Sequence, residues 1–142
     1  MYIVRTFRKA LLMVAVLVSC SLPVTVLAGD YTIDHYKPGK IVVNGQTYKN
    51  DIVILPDGTI QAAPKDMHYV LLSELENIIN LPGIKTLVIG TGREGNGSLS
   101  ADLVKIVEGK GIQLKMLRTK DAIKFLNDTP KAGVVAMLHL NC

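Results

Sequence analysis

From Leu71 to Leu140, short apolar runs alternate with stretches of helical spacing, and few folds accept that alternation. Leu71, Leu72, Leu75, Ile78 and Ile79 recur at helical spacing, with Ser73 and Glu76 placed to form a capping box and Pro82-Gly83 ending the run. Thr86-Leu87-Val88-Ile89 reads as a buried strand that runs into the loop Gly90-Thr91-Gly92-Arg93-Glu94-Gly95-Asn96-Gly97-Ser98. A helix follows to Glu108 with Leu103, Val104, Ile106 and Val107 as its apolar stripe, and Gly109 and Gly111 stop it. Ile112 to Leu117 is the next strand, Thr119 caps a short helix carrying Ala122, Ile123 and Leu126, and Gly133 to Leu140 is the last strand. Strands separated by helices need crossover connections, so this half predicts an α/β domain with a mainly parallel sheet.

The residues before it follow a different period. Lys37-Pro38-Gly39-Lys40 reads as a turn, Ile41-Val42-Val43 as a short strand, Asn44-Gly45 as a type I′ hairpin turn, and Gln46 to Lys49 as the returning strand. Asp51 to Leu55 is a more buried strand halted by Pro56-Asp57-Gly58. The sequence contains no internal repeat or low-complexity segment.

Residues 1–28 stand apart from this pattern. Arg5, Arg8 and Lys9 form a positive start, Ala10 to Val18 is uninterruptedly apolar, and Val26-Leu27-Ala28 supplies a small-residue cleavage pattern before Gly29. The segment is expected to be a signal peptide cleaved after Ala28, leaving residues 29–142 as one exported domain, periplasmic or secreted. The apolar run is about half the ~20 residues a membrane span requires. Leu17-Val18-Ser19-Cys20 resembles a lipobox, so a lipid anchor at Cys20 is the alternative. The apolar stretch that follows Cys20 is a poor solvated tether and favours release.

Much of the apparent basicity leaves with that segment. The chain has 16 basic and 12 acidic side chains; losing three cations and no acids leaves 13 against 12. Nucleic-acid binding therefore has no basic, aromatic-rich surface to rest on. A 49% hydrophobic composition excludes disorder, and two cysteines exclude a disulfide scaffold. After cleavage only Cys142 remains, either as an exposed thiol or as the donor of an intermolecular disulfide.

The motifs Pro38-Gly39-x-Ile41-Val42-Val43-Asn44-Gly45-x-x-Tyr48, Ile54-Leu55-Pro56-Asp57-Gly58, Gly90-Thr91-Gly92 and Thr119-x-Asp121-Ala122-Ile123, with Asn127 shortly after, occur in that order. The chain thereby resembles the conserved-domain family that includes the mitochondrial complex I (NADH dehydrogenase) assembly factor three and the adipogenesis-associated cytosolic protein. The resemblance spans roughly Tyr36 to Leu140. It implies a compact three-layer α/β fold and an assembly or partner-binding role, without a catalytic mechanism. Members of the family usually carry an arginine just before the last strand, where this chain has Ala132-Gly133.

Gly90, Gly92 and Gly95 match G-x-G-x-x-G, yet a dinucleotide site needs its helix to begin inside the motif and an acid at the end of the next strand. Here Asn96-Gly97-Ser98 delay the helix and the next strand ends in Leu117-Arg118. A looser anion site is the surviving candidate, built from Gly90, Thr91, Gly92, Arg93, Ser98, Thr119, Lys120 and Asp121 at the carboxyl edge of the sheet. Arg93 and Lys120 would be its cations, and Glu94 and Asp121 a potential carboxylate pair. The competing reading makes the loop a plain connection and Thr119 a plain cap.

No G-x-S-x-G elbow exists, and His35, His68 and His139 lack ligand spacing. No catalytic residue, cofactor or metal site is therefore expected, and His139 is expected at a sheet edge or satisfied in the core. Two functional readings follow: a non-catalytic module that binds a protein partner, or a binding protein or weak enzyme for a small anion.

Overall fold

The computed structural model describes residues 28–142, so Cys20 and all of the expected signal segment except Ala28 lie outside the described residues. Among the described residues no helix is long and apolar enough to cross a membrane.

An antiparallel sheet opens the domain: β1 (Ile33–Lys37), β2 (Lys40–Val43) and β3 (Gln46–Tyr48). The β2–β3 turn is Asn44-Gly45 with φ of 49° and 77°, the double left-handed geometry a type I′ hairpin demands. Strand β1 was not legible in advance because, of its five residues, only Ile33 is buried. Asn127 holds it from across the molecule, accepting from the Ile33 N–H and donating to the Ile33 carbonyl, both at 3.0 Å.

The main sheet contains β4 (Ile52–Ile54), β5 (Ile60–Ala62), β7 (Thr86–Thr91), β9 (Gln113–Leu117) and β10 (Val134–His139), in the order β5-β4-β10-β7-β9. Strands β10, β7 and β9 run parallel, and β4 is antiparallel to both its neighbours. The last strand in the chain thus lies in the middle of the sheet, and all six of its residues are buried. A two-stranded parallel ribbon, β6 (Tyr69–Val70) with β8 (Ser98–Leu99), sits apart.

Strand period sorts the core into two faces. Val53, Leu87, Ile89, Val135 and Met137 pack against Leu75, Ile78 and Ile79 of α1 (Leu72–Ile79) and Leu103 and Val107 of α2 (Ala101–Gly109). Ile52, Ile54, Val88, Ala136 and Leu138 pack instead against Ile41 and Val43 of the small sheet and Ala122 and Leu126 of α3 (Thr119–Asp128). The result is the α/β domain that the periodicity implies, in the three layers that the family resemblance implies, with a mixed sheet.

The expected Ser73–Glu76 capping box lies two residues too late. Leu71 is the N-cap, and its N–H donates to Glu74 Oε2 at 2.8 Å.

Candidate functional site

Two crossovers decide where a site forms. Strand β7 leads through α2 to β9 on one side, and β9 leads through α3 back across to β10 on the other. Helices α2 and α3 cover opposite faces, so the chain diverges at the carboxyl ends of β7 and β9 and leaves a crevice there. The loops entering it carry Thr91 to Ser98 and Leu117 to Thr119.

The glycines of the first loop bring chain segments together. A Cβ on Gly90 would lie 2.9 Å from Leu138 Cδ2 and 3.0 Å from Thr119 Oγ1. Gly92 adopts φ +94°, and a Cβ there would lie 2.5 Å from the Asn141 carbonyl oxygen and 2.8 Å from His139 Cδ2. Loop N–H groups accordingly donate to main-chain carbonyls: Arg93 to Asn141 at 3.3 Å, Glu94 to Cys142 at 2.8 Å, Gly97 to Thr91 at 2.9 Å and Ser98 to His68 at 3.0 Å.

Thr119 is not a cap. Arg118 occupies the N-cap position without a side-chain bond, and Thr119 begins the helix fully buried. Its hydroxyl donates to the His139 carbonyl at 2.6 Å and accepts from the Gly92 N–H at 2.9 Å. Thr91 Oγ1 donates to the Leu117 carbonyl at 2.9 Å, so the two threonines tie the carboxyl ends of β7, β9 and β10 together.

Beside this knot lies a cleft of about 670 Å³. Arg93, Arg118, Lys120 and Asp121 form one bank, and Asp34, His35, Tyr36, Lys37 and Pro38 of β1 and its turn form the other. Arg93 Nε donates to Glu94 Oε1 at 2.8 Å, an exposed pair worth little that leaves the guanidinium free to swing. Among the described residues no ion pair holds Arg118 or Lys120. The Tyr36 hydroxyl donates to the Leu140 carbonyl at 3.2 Å, and desolvation raises its pKa despite the lowering influence of Thr119 and Arg93.

Of the residues predicted from sequence, Arg93, Lys120 and Asp121 meet on the cleft, while Gly90, Thr91, Gly92 and Thr119 build the knot beside it. Ser98 is in β8 with its hydroxyl donating to the His68 carbonyl at 2.6 Å. Glu94 pairs with Arg93 rather than with Asp121. Arg118, His35, Tyr36 and Lys37 were missed. Arg118 carried a signal, since it adjoins Thr119 at the end of a parallel strand; the β1 residues carried none.

A second group lies at the same edge of the sheet, toward the α1–α2 face, because His139 follows Met137 by one strand period. His139 is in the central strand and 5% exposed, so it is not at a sheet edge. Its Nδ1 lies 2.7 Å from Asp51 Oδ2, while Asp51 Oδ1 accepts from the Leu140 N–H at 2.8 Å. Its Nε2 is buried and has no hydrogen-bond partner among the described residues, so the imidazole is only half satisfied. The His68 ring meets the His139 ring edge-on with centroids 4.9 Å apart. One potential ligand atom from each of His68, His139 and Cys142 falls within 4.8 Å of the others.

The family model described as "Protein of unknown function (DUF498/DUF598)" matches residues 33–139. The fold is similar to that of a conserved hypothetical protein from Pyrococcus horikoshii OT3, 30% identical, with 78% of this chain and 99% of that one covered at a TM-score of 0.69. It is also similar to a structure described as an outer membrane protein from Bartonella henselae, 23% identical, covering 82% and 99% of the chains at a TM-score of 0.60. A Bordetella pertussis protein described as a Mth938-like domain matches at 19% identity and TM-score 0.60, covering 78% of this chain and 85% of that one. No curated protein matches significantly.

Proposed function

The chain belongs to the DUF498/DUF598 family of unknown function, and on that premise we propose that it is an exported, non-catalytic binding module that docks an anionic group of a protein partner in the cleft at the carboxyl edge. The observation that carries this reading is the charge balance of the cleft. Lys37, Arg93, Arg118 and Lys120 outnumber Asp34 and Asp121 in a cleft whose walls include Ile33, Pro38 and Ile123. Cations among apolar wall residues suit an acidic side chain or terminal carboxylate carried on a peptide.

The hydroxyls of Thr91 and Thr119 spend their protons on main-chain carbonyls, which supports binding over nucleophilic chemistry. The arginine replaced by Ala132-Gly133 does not bear on the cleft. Gly133 lies at the other end of β10, where its carbonyl accepts from the Lys85 N–H at 2.8 Å. Export rests on the n-region, the apolar run and the Ala28 motif. The neighbour described as an outer membrane protein is compatible with it.

The cleft volume also lies in the ~300–1,000 Å³ range of small-molecule sites, which favours a second reading, a free carboxylate- or phosphate-bearing metabolite. Both readings are tested on protein recovered from its own envelope fraction. Native mass spectrometry is expected to show a protein complex, whose yield falls with added salt and at least about tenfold in Arg93→Ala/Lys120→Ala. A small-molecule mass excess lost on denaturation would move the assignment to the second reading. Full retention of the partner in the double variant would remove the cleft from either.

A further inference from the structure

We propose that His68, His139 and Cys142 form a metal site for a borderline-soft divalent ion of the Zn2+ type, on the face of the sheet opposite the cationic cleft. Two imidazole nitrogens and a thiolate suit zinc and its first-row neighbours and disfavour the oxygen-seeking Ca2+ and Mg2+.

The buried histidine carries the argument. His139 is 5% exposed, its Nδ1 is engaged by Asp51 at 2.7 Å, and its Nε2 has no partner among the described residues. A carboxylate on one ring nitrogen fixes the tautomer with the proton on Nδ1 and presents the Nε2 lone pair, the arrangement that orients metal-ligating histidines. His68 repeats it more loosely, with Asp66 Oδ1 3.4 Å from its Nδ1. An unpaired Nε2 in a closed pocket is costly, and a bound ion would satisfy it.

The surroundings permit closure. The three candidate ligand atoms lie within 4.8 Å of one another. Bonds of about 2.0–2.1 Å to nitrogen and about 2.3 Å to sulfur place tetrahedral ligands roughly 3.3–3.6 Å apart, so the widest-spaced pair must close by about 1–1.5 Å. His68 and Cys142 are exposed and able to move, whereas His139 is fixed. Gly92 keeps the space beside His139 open, since a Cβ there would lie 2.8 Å from the ring. The Glu94 N–H holds the Cys142 carbonyl at 2.8 Å, which keeps the backbone near His139 and leaves the thiol side chain to rotate. Three protein ligands leave a fourth position on the exposed side.

The test uses the processed protein, residues 29–142, which lacks Cys20, reduced and stripped with a chelator. Titrated with Zn2+ against a colorimetric chelator, it is expected to bind one equivalent, and Co2+ is expected to give a thiolate charge-transfer band. His68→Gln and Cys142→Ser change exposed residues and should keep the circular dichroism of the parent; each is expected to weaken Zn2+ at least about tenfold. Cys142→Ser should also abolish the band. Asp51→Asn is expected to cost about 10- to 100-fold in affinity through orientation alone. Less than one equivalent bound to folded protein, or Zn2+ binding unaltered in His68→Gln and Cys142→Ser, would overturn the proposal.

Discussion

Three glycines with different surroundings separate backbone strain from crowding. Gly92→Ala puts a Cβ 2.5 Å from the Asn141 carbonyl oxygen at φ +94°, and is expected to cost about 2–3 kcal/mol in urea unfolding. Gly45 has φ +77° but open space, so Gly45→Ala should cost only about 1–2 kcal/mol. Gly109, in α2 with nothing within 4 Å, should gain about 0.5–1 kcal/mol on substitution by alanine. Tyr31 is a different case: its hydroxyl is buried without a partner among the described residues, and burial pushes its pKa up from 10.0 to about 12. The folded state therefore prefers the neutral phenol. That preference is neutral in effect below pH 10 and becomes a destabilisation relative to an ordinary tyrosine as pH rises from 10 toward 12, when only the unfolded chain ionises. Tyr31→Phe should leave stability at neutral pH unchanged or raised by up to about 1 kcal/mol, and flatten the alkaline fall in denaturation midpoint.

At the scale of elements, the threonine tying β7, α3 and β10 is the sharpest test. Thr119→Val orphans the Gly92 N–H and the His139 carbonyl and is expected to cost about 1–3 kcal/mol, with Thr119→Ser recovering most of it, read by chemical denaturation. The same residue shows what a sequence conveys. Thr119 was legible as the start of a helix but not as a buried tie, because its partners come from segments far away in the chain. The Asn44-Gly45 hairpin and the β7 to β10 alternation were legible because turn chemistry and period are local. Strands β6 and β8, two residues each, are too short to show a period. The cationic bank was half legible, Arg93 and Lys120 by their loops, whereas the β1 bank required the tertiary fold. The grouping of His68, His139 and Cys142 had no spacing signal at all, since the sheet rather than the chain brings them together.

At the scale of the whole molecule, one sheet separates two cores. Leu103 lies in one and Leu126 in the other. Each leucine-to-alanine change is expected to cost about 2–5 kcal/mol, and the double variant their sum to within about 0.5 kcal/mol, because no shared cavity couples them. A single unfolding transition should persist throughout, since both cores rest on the same five strands. The order of those strands also sets a timetable. Until Val134–His139 has been synthesised, β4 has only β5 beside it and β7 only β9, two fragments with bare apolar edges where the central strand belongs. The ribosome must therefore deliver β10 before the sheet can close, and a chain truncated after Ala132 should show no cooperative melting in calorimetry. Folding of the sheet waits on its keystone, a strand made after all those it joins.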